Sequence, residues 1–105
     1  MAAARLRTET RFLREFAKSY FTETAFTPDA ERDMRLAGVS LVGVHQALQS
    51  CVVVDSEKED AEGARWTVEG KTVEDISLCL RLDVYCNHYR VTILNVWRLS
   101  ERTDD

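Results

Sequence analysis

Between Asp75 and Arg98 the sequence DISLCLRLDVYCNHYRVTILNVWR alternates apolar and polar side chains over most of its length, a period of two that belongs to extended chain and not to a helix. Ile76, Leu78, Leu80, Leu82 and Val84 fall on one face, with Ser77, Cys79, Arg81, Asp83 and Tyr85 on the other. The alternation resumes after Asn87-His88, so those two residues read as the turn of a long hairpin, Asn87 tolerating the positive φ of a tight loop. With that turn Val84 lies opposite Val91, Leu82 opposite Ile93, Leu80 opposite Asn95 and Leu78 opposite Trp97. The second face pairs Tyr85 with Arg90, Asp83 with Thr92, Arg81 with Leu94 and Cys79 with Val96. One face is core. The other is part apolar and part ionic, which makes it the first place to look for a site.

The chain of 105 residues suits a single domain, since a domain of that size buries roughly two-thirds of its unfolded surface without needing staples. Charged residues at 30% and hydrophobic ones at 45% describe a globular and not a disordered chain. A net charge of -4 argues against generic nucleic-acid binding, because affinity for phosphate comes from neutralising cations. The start, MAAARLRTETRF, lacks the apolar stretch of a secretory signal, and no apolar run reaches membrane-spanning length, so a cytoplasmic protein is expected. Cys79 and Cys86 sit seven residues apart on one expected strand, about 23 Å, too far to bridge. The three cysteines are expected to be free thiols.

Helical periodicity dominates the first third. Phe12, Leu13, Phe16, Ala17, Tyr20 and Phe21 line one stripe of a helix over about 8–22, and Arg7, Arg11, Arg14, Glu15 and Lys18 lie opposite. Residues 1–20 hold five positive charges against two negative, a net-basic segment that reads either as a solvated face or as a contact surface for an acidic partner or RNA. Thr27-Pro28-Asp29 starts a second helix: Thr27 caps, Pro28 has its φ pre-set, and Asp29 complements the positive helix end. Gly38 ends it in the left-handed region, and Ser40 caps a third helix to about Gln49. Cys51 to Val54 reads as a first strand, Ser56 to Gly63 as an acidic loop, and Arg65 to Glu69 as a second strand turning through Gly70 into the hairpin. The tail from Ser100 to Asp105 is polar and expected to fray. The resulting order, ααα-ββββ, is an α+β domain with its N-terminal helices on one face of a four-stranded, mainly antiparallel sheet.

Few motifs carry chemistry. The four glycines form no phosphate-binding pattern, and Cys86 with His88 makes only two of the ligands a zinc site needs, so no metal and no cofactor are expected. His45 reads as a helix-packing residue. The ionic hairpin face, with Arg81, Asp83, Tyr85, His88, Tyr89, Arg90 and Arg98, either stabilises the sheet through cross-strand pairs or supplies the base, cation and acid that a metal-independent ribonuclease uses.

Phe26 to Met34, then Ala37-Gly38-Val39-Ser40 and Val44 to Leu48, resemble the opening of the uncharacterised bacterial domain family numbered 4258, and Trp66 to Lys71 and Arg90 to Trp97 resemble its later strands. The resemblance spans about residues 26–98, with residues 1–24 as an additional helix; it departs from the pattern at Asp29, where the family has histidine, and at Ala37, where it has arginine. That family looks like a compact relative of the RelE and MqsR toxins, so the resemblance implies a RelE-like architecture and a ribonuclease neutralised by a partner protein. Lys71, Arg81, His88, Tyr89 and Arg90 are the catalytic candidates under that reading. The competing reading is a non-catalytic protein-binding module, such as an immunity, inhibitor or accessory protein. Its partner-binding candidates are Asp55, Glu57, Glu59, Asp60 and Glu62 in the acidic stretch and Arg7, Arg11 and Arg14 on the first helix.

Overall fold

The computed structural model describes residues 6–59, 63–85 and 90–99. Three helices, α1 (Arg7–Ser19), α2 (Pro28–Ala37) and α3 (Leu41–Gln49), combine with five strands, β1 (Thr24–Phe26), β2 (Val52–Glu59), β3 (Ala64–Lys71), β4 (Ser77–Tyr85) and β5 (Arg90–Arg98), in an α+β fold. The sheet order is β1-β5-β4-β3-β2. β2 to β5 are antiparallel neighbours, whereas β1 runs parallel to β5, with Thr24 beside Val91 and Phe26 beside Ile93. The sheet is therefore five-stranded and mixed, a correction to the expected four antiparallel strands. Thr24, Ala25 and Phe26 are too few to display a period, and only pairing with β5 makes them a strand.

The caps form as their chemistry dictates. Thr27 Oγ1 accepts the Ala30 N–H at 3.0 Å, and Ser40 Oγ accepts that of Gly43 at 3.2 Å, each filling a donor that a helix start leaves open. Gly38, at φ 70°, ends α2 in the left-handed region. α1 is shorter than its sequence period suggests, ending at Ser19 before a 3₁₀ turn over Phe21–Glu23.

One face of the sheet and the helices share a single core. Leu13 and Phe16 of α1 and Val44 and Leu48 of α3 are buried with Val68, Leu78, Leu80, Leu82, Val84, Val91 and Ile93 of the sheet. Phe12 meets the Trp66 indole edge-on at 6.2 Å. α3 lies so close to β3 that a Cβ at Gly70 would collide with the Ala47 carbonyl oxygen, so only glycine fits there without a shift of the backbone.

The hairpin follows the expected register for half its length. Val84 pairs with Val91, Leu82 with Ile93, Asp83 with Thr92 and Tyr85 with Arg90. A bulge at Leu94 then shifts β5 by one residue, so Arg81 faces Asn95, Leu80 faces Val96, Cys79 faces Trp97 and Leu78 faces Arg98. The expected pairs Leu80 with Asn95, Leu78 with Trp97, Arg81 with Leu94 and Cys79 with Val96 are corrected accordingly. The extra residue turns Val96, 2% exposed, into the core, and leaves Trp97 46% exposed. The expected turn at Asn87-His88 and the tail from Ser100 lie outside the described residues.

Helices close parts of both sheet edges. On β5 beyond β1, Thr27 Oγ1 donates to the Leu94 carbonyl at 3.1 Å, Asp33 accepts the Val96 N–H at 3.0 Å, and Arg98 donates to the Ala37 carbonyl at 3.0 Å. On β2, the Leu6 N–H donates to the Val53 carbonyl at 3.1 Å, and Thr10 Oγ1 accepts the Val53 N–H at 2.8 Å. β2 itself continues to Glu59 through irregularities at Val54 and Glu57, so Ser56 to Glu59, expected in an acidic loop, are strand.

Candidate functional site

Side chains that point away from the helices form an open ionic face across β2, β3 and β4. The Arg65 guanidinium grips Asp83 with two bonds of 2.7 and 3.1 Å, directly across the β3–β4 pair. Arg81 grips Glu57 with two bonds of 2.9 Å, reaching over β3, where the Thr67 hydroxyl also donates to Glu57 at 3.4 Å. These are fork-on-carboxylate pairs, in which geometry and charge are both satisfied. The hydrogen bonds from Arg81 hold the Glu57 carboxyl below its usual range, and Glu57 and Asp83 raise the Arg81 and Arg65 guanidinium pKa values in return. Each arginine has a neutralising partner within the fold, which leaves this face little net attraction for a phosphate.

The catalytic candidates do not gather around Arg81. Lys71 lies at one end of β3, opposite Ser77, with its Nζ 3.2 Å from Asp75. Arg90 opens β5 opposite Tyr85 at the other end of the hairpin. Along β4, Ser77 and Tyr85 are eight residues apart, about 26 Å at 3.3 Å per residue. Lys71 and Arg90 cannot serve one reacting phosphate. His88 and Tyr89 lie outside the described residues.

The acidic candidates divide as well. Asp55 is exposed on β2, Glu57 is spent on Arg81, and the Glu59 side chain, Asp60 and Glu62 lie outside the described residues. The basic candidates, by contrast, converge. Arg7, Arg11 and Arg14 line a groove of about 470 Å³ beside the start of β2, together with Thr10, Glu15, Lys18 and Val52. Arg14 is fixed there, its Nε donating to the Cys51 carbonyl at 2.7 Å. Among the described residues no acid pairs with Arg7, Arg11 or Lys18. Lys18 belongs to the same helical stripe and was open to sequence reasoning; Val52 was not, because only the docking of α1 on β2 brings it there.

Other reactive groups are quiet. Burial pushes the Cys51 thiol up to about 12, and burial followed by the Glu69 charge raises that of Cys79, so neither offers a thiolate nucleophile near neutral pH. His45 bonds to the Ala17 carbonyl at 2.7 Å and stacks on Phe21 at 4.1 Å, tying α3 to the end of α1. Among the described residues no three potential metal ligands come together, and no helix is long and apolar enough to cross a membrane. Comparisons with family models, with curated proteins and with solved structures gave no match.

Proposed function

We propose that this chain is a non-catalytic protein-binding module of the immunity, inhibitor or accessory kind. The observation that carries the reading is the distribution of its cations. On the open sheet face Arg65 and Arg81 are each closed onto a carboxylate, while Arg7, Arg11 and Lys18 on α1, which have no acidic partner among the described residues, line one groove with Arg14. A ribonuclease needs a convergent base, acid and phosphate-stabilising cation. Lys71 and Arg90, two of the cations such an enzyme would use, stand at opposite ends of the hairpin. The toxin-like ribonuclease of RelE or MqsR type is the alternative, carried by the resemblance of residues 26–98 to the domain family numbered 4258, which looks like a relative of those toxins.

The test is direct. Purified protein is incubated with single-stranded RNA, and the chain is separately induced in a bacterial host without any partner. The module reading expects intact RNA and unimpeded growth. Cleavage that disappears in Arg90→Ala, with growth arrest relieved by the same change, would replace it with the ribonuclease.

A further inference from the structure

We infer that the α1 groove binds an acidic peptide segment of a partner protein in extended conformation. The inference rests on the binding-module reading and supplies its surface and ligand chemistry. Arg7, Arg11, Arg14 and Lys18 recur at intervals of four, three and four residues, a single stripe along the helix. Eleven residues at 1.5 Å each give about 16 Å, the span of roughly five residues of extended chain. Carboxylates at alternate positions of such a chain recur every ~6.6 Å, close to the ~6 Å of a four-residue helical interval.

The rest of the lining favours a peptide over a nucleic acid. Val52 offers an apolar floor, and Thr10, whose oxygen already accepts the Val53 N–H, retains a hydroxyl proton to donate. The Glu15 carboxylate repels phosphates and peptide carboxylates alike, but it can accept a peptide N–H, a donor that a phosphodiester backbone lacks. Among the described residues no aromatic ring lines the groove to stack a base. Beyond residue 20 the sequence holds nine basic residues against sixteen acidic ones, so a longer polyanion leaving the stripe would meet net negative charge. The anchoring of Arg14 on the Cys51 carbonyl fixes one cation in advance, which lowers the ordering cost of binding.

Fluorescently labelled hexaglutamate is the probe, with hexauridylate RNA as the competing polyanion, and binding is read by anisotropy at low and at near-physiological salt. The expected result is saturable peptide binding, weakened by salt, at least tenfold tighter than the RNA, and reduced tenfold or more by Arg11→Glu with Lys18→Glu. The milder pair Arg11→Gln with Lys18→Gln should lose several-fold and covers the case in which charge reversal perturbs the fold. Circular dichroism verifies that the variants are folded. Tighter RNA binding, no peptide binding, or equal binding by folded variants would overturn the groove assignment. Those results leave the module reading standing if RNA remains uncleaved, because that reading is decided by the nuclease assay and not by the peptide.

Discussion

The bulge at Leu94 inverts the faces of the last third of β5, and a pair of lysine substitutions measures that inversion. With the bulge, Val96 is 2% exposed beneath the helices and Trp97 is 46% exposed on the open face. Val96→Lys loses the transfer energy of a buried valine, about 1.5 kcal/mol or more. It also places an ammonium in an apolar core, at a further several kcal/mol. Together these approach the whole stability of a typical domain, ~5–15 kcal/mol. Trp97→Lys removes about 100 Å² of apolar burial, half of a typical tryptophan, worth ~2.5 kcal/mol at ~25 cal/mol/Å². The lysine stem re-covers part of that surface, leaving a cost of about 1–2 kcal/mol. Urea unfolding followed by far-ultraviolet circular dichroism gives both values. A larger loss for Trp97→Lys than for Val96→Lys would refute the bulge and restore unbroken alternation.

Three further outcomes follow from the packing and the titrating groups. Gly70→Ala should cost about 1–3 kcal/mol or more, because the added methyl meets the rigid Ala47 carbonyl. Gly38→Ala, with φ 70° and open space, should cost only about 1–2 kcal/mol in backbone strain, and denaturant midpoints rank the two. Because Arg81 lowers the Glu57 pKa in the fold, the stabilisation is fully present above the unfolded pKa of about 4.3 and is lost as pH falls through the folded value. Melting curves from pH 6 to 3 should therefore be flatter for Glu57→Gln than for wild type, and identical slopes would remove the pair from the account. Cys51, its thiol pushed up to about 12, should resist iodoacetamide at pH 8 until the chain unfolds, as read by peptide mass spectrometry; labelling of the native protein at the rate of a free thiol would contradict its burial.

The parts of this fold legible in the sequence are those whose cause is local. Thr27, Gly38 and Ser40 bracket α2 and α3 because their side chains or φ act within a few residues. The β4 face is legible from Leu78 to Val84 because burial on one side imposes strict alternation. The bulge at Leu94 escaped because an inserted residue carries no signature of its own; Asn95 at an expected core position was the one local conflict that pointed to it. β1 owes its existence to β5, 67 positions along the chain, which no local window contains, whereas the extension of β2 through Glu59 pairs with nearby Ala64 to Trp66 and was hidden by the acidic composition of Ser56 to Gly63. The same division holds for the site. The cationic stripe of α1 is visible as helical periodicity, but the Arg65–Asp83 and Arg81–Glu57 pairs, which neutralise two arginines of the open face, join residues 18 and 24 positions apart.

Recognition through α1 is tested most directly by mapping backbone amide shifts in ¹⁵N-labelled protein during titration with hexaglutamate. Binding in the α1 groove concentrates the shifts at residues 7–18 and at Val52 and leaves the open face around Arg65, Arg81 and Asp83 unchanged. Shifts centred on that face or at Arg90, with α1 unmoved, would contradict it.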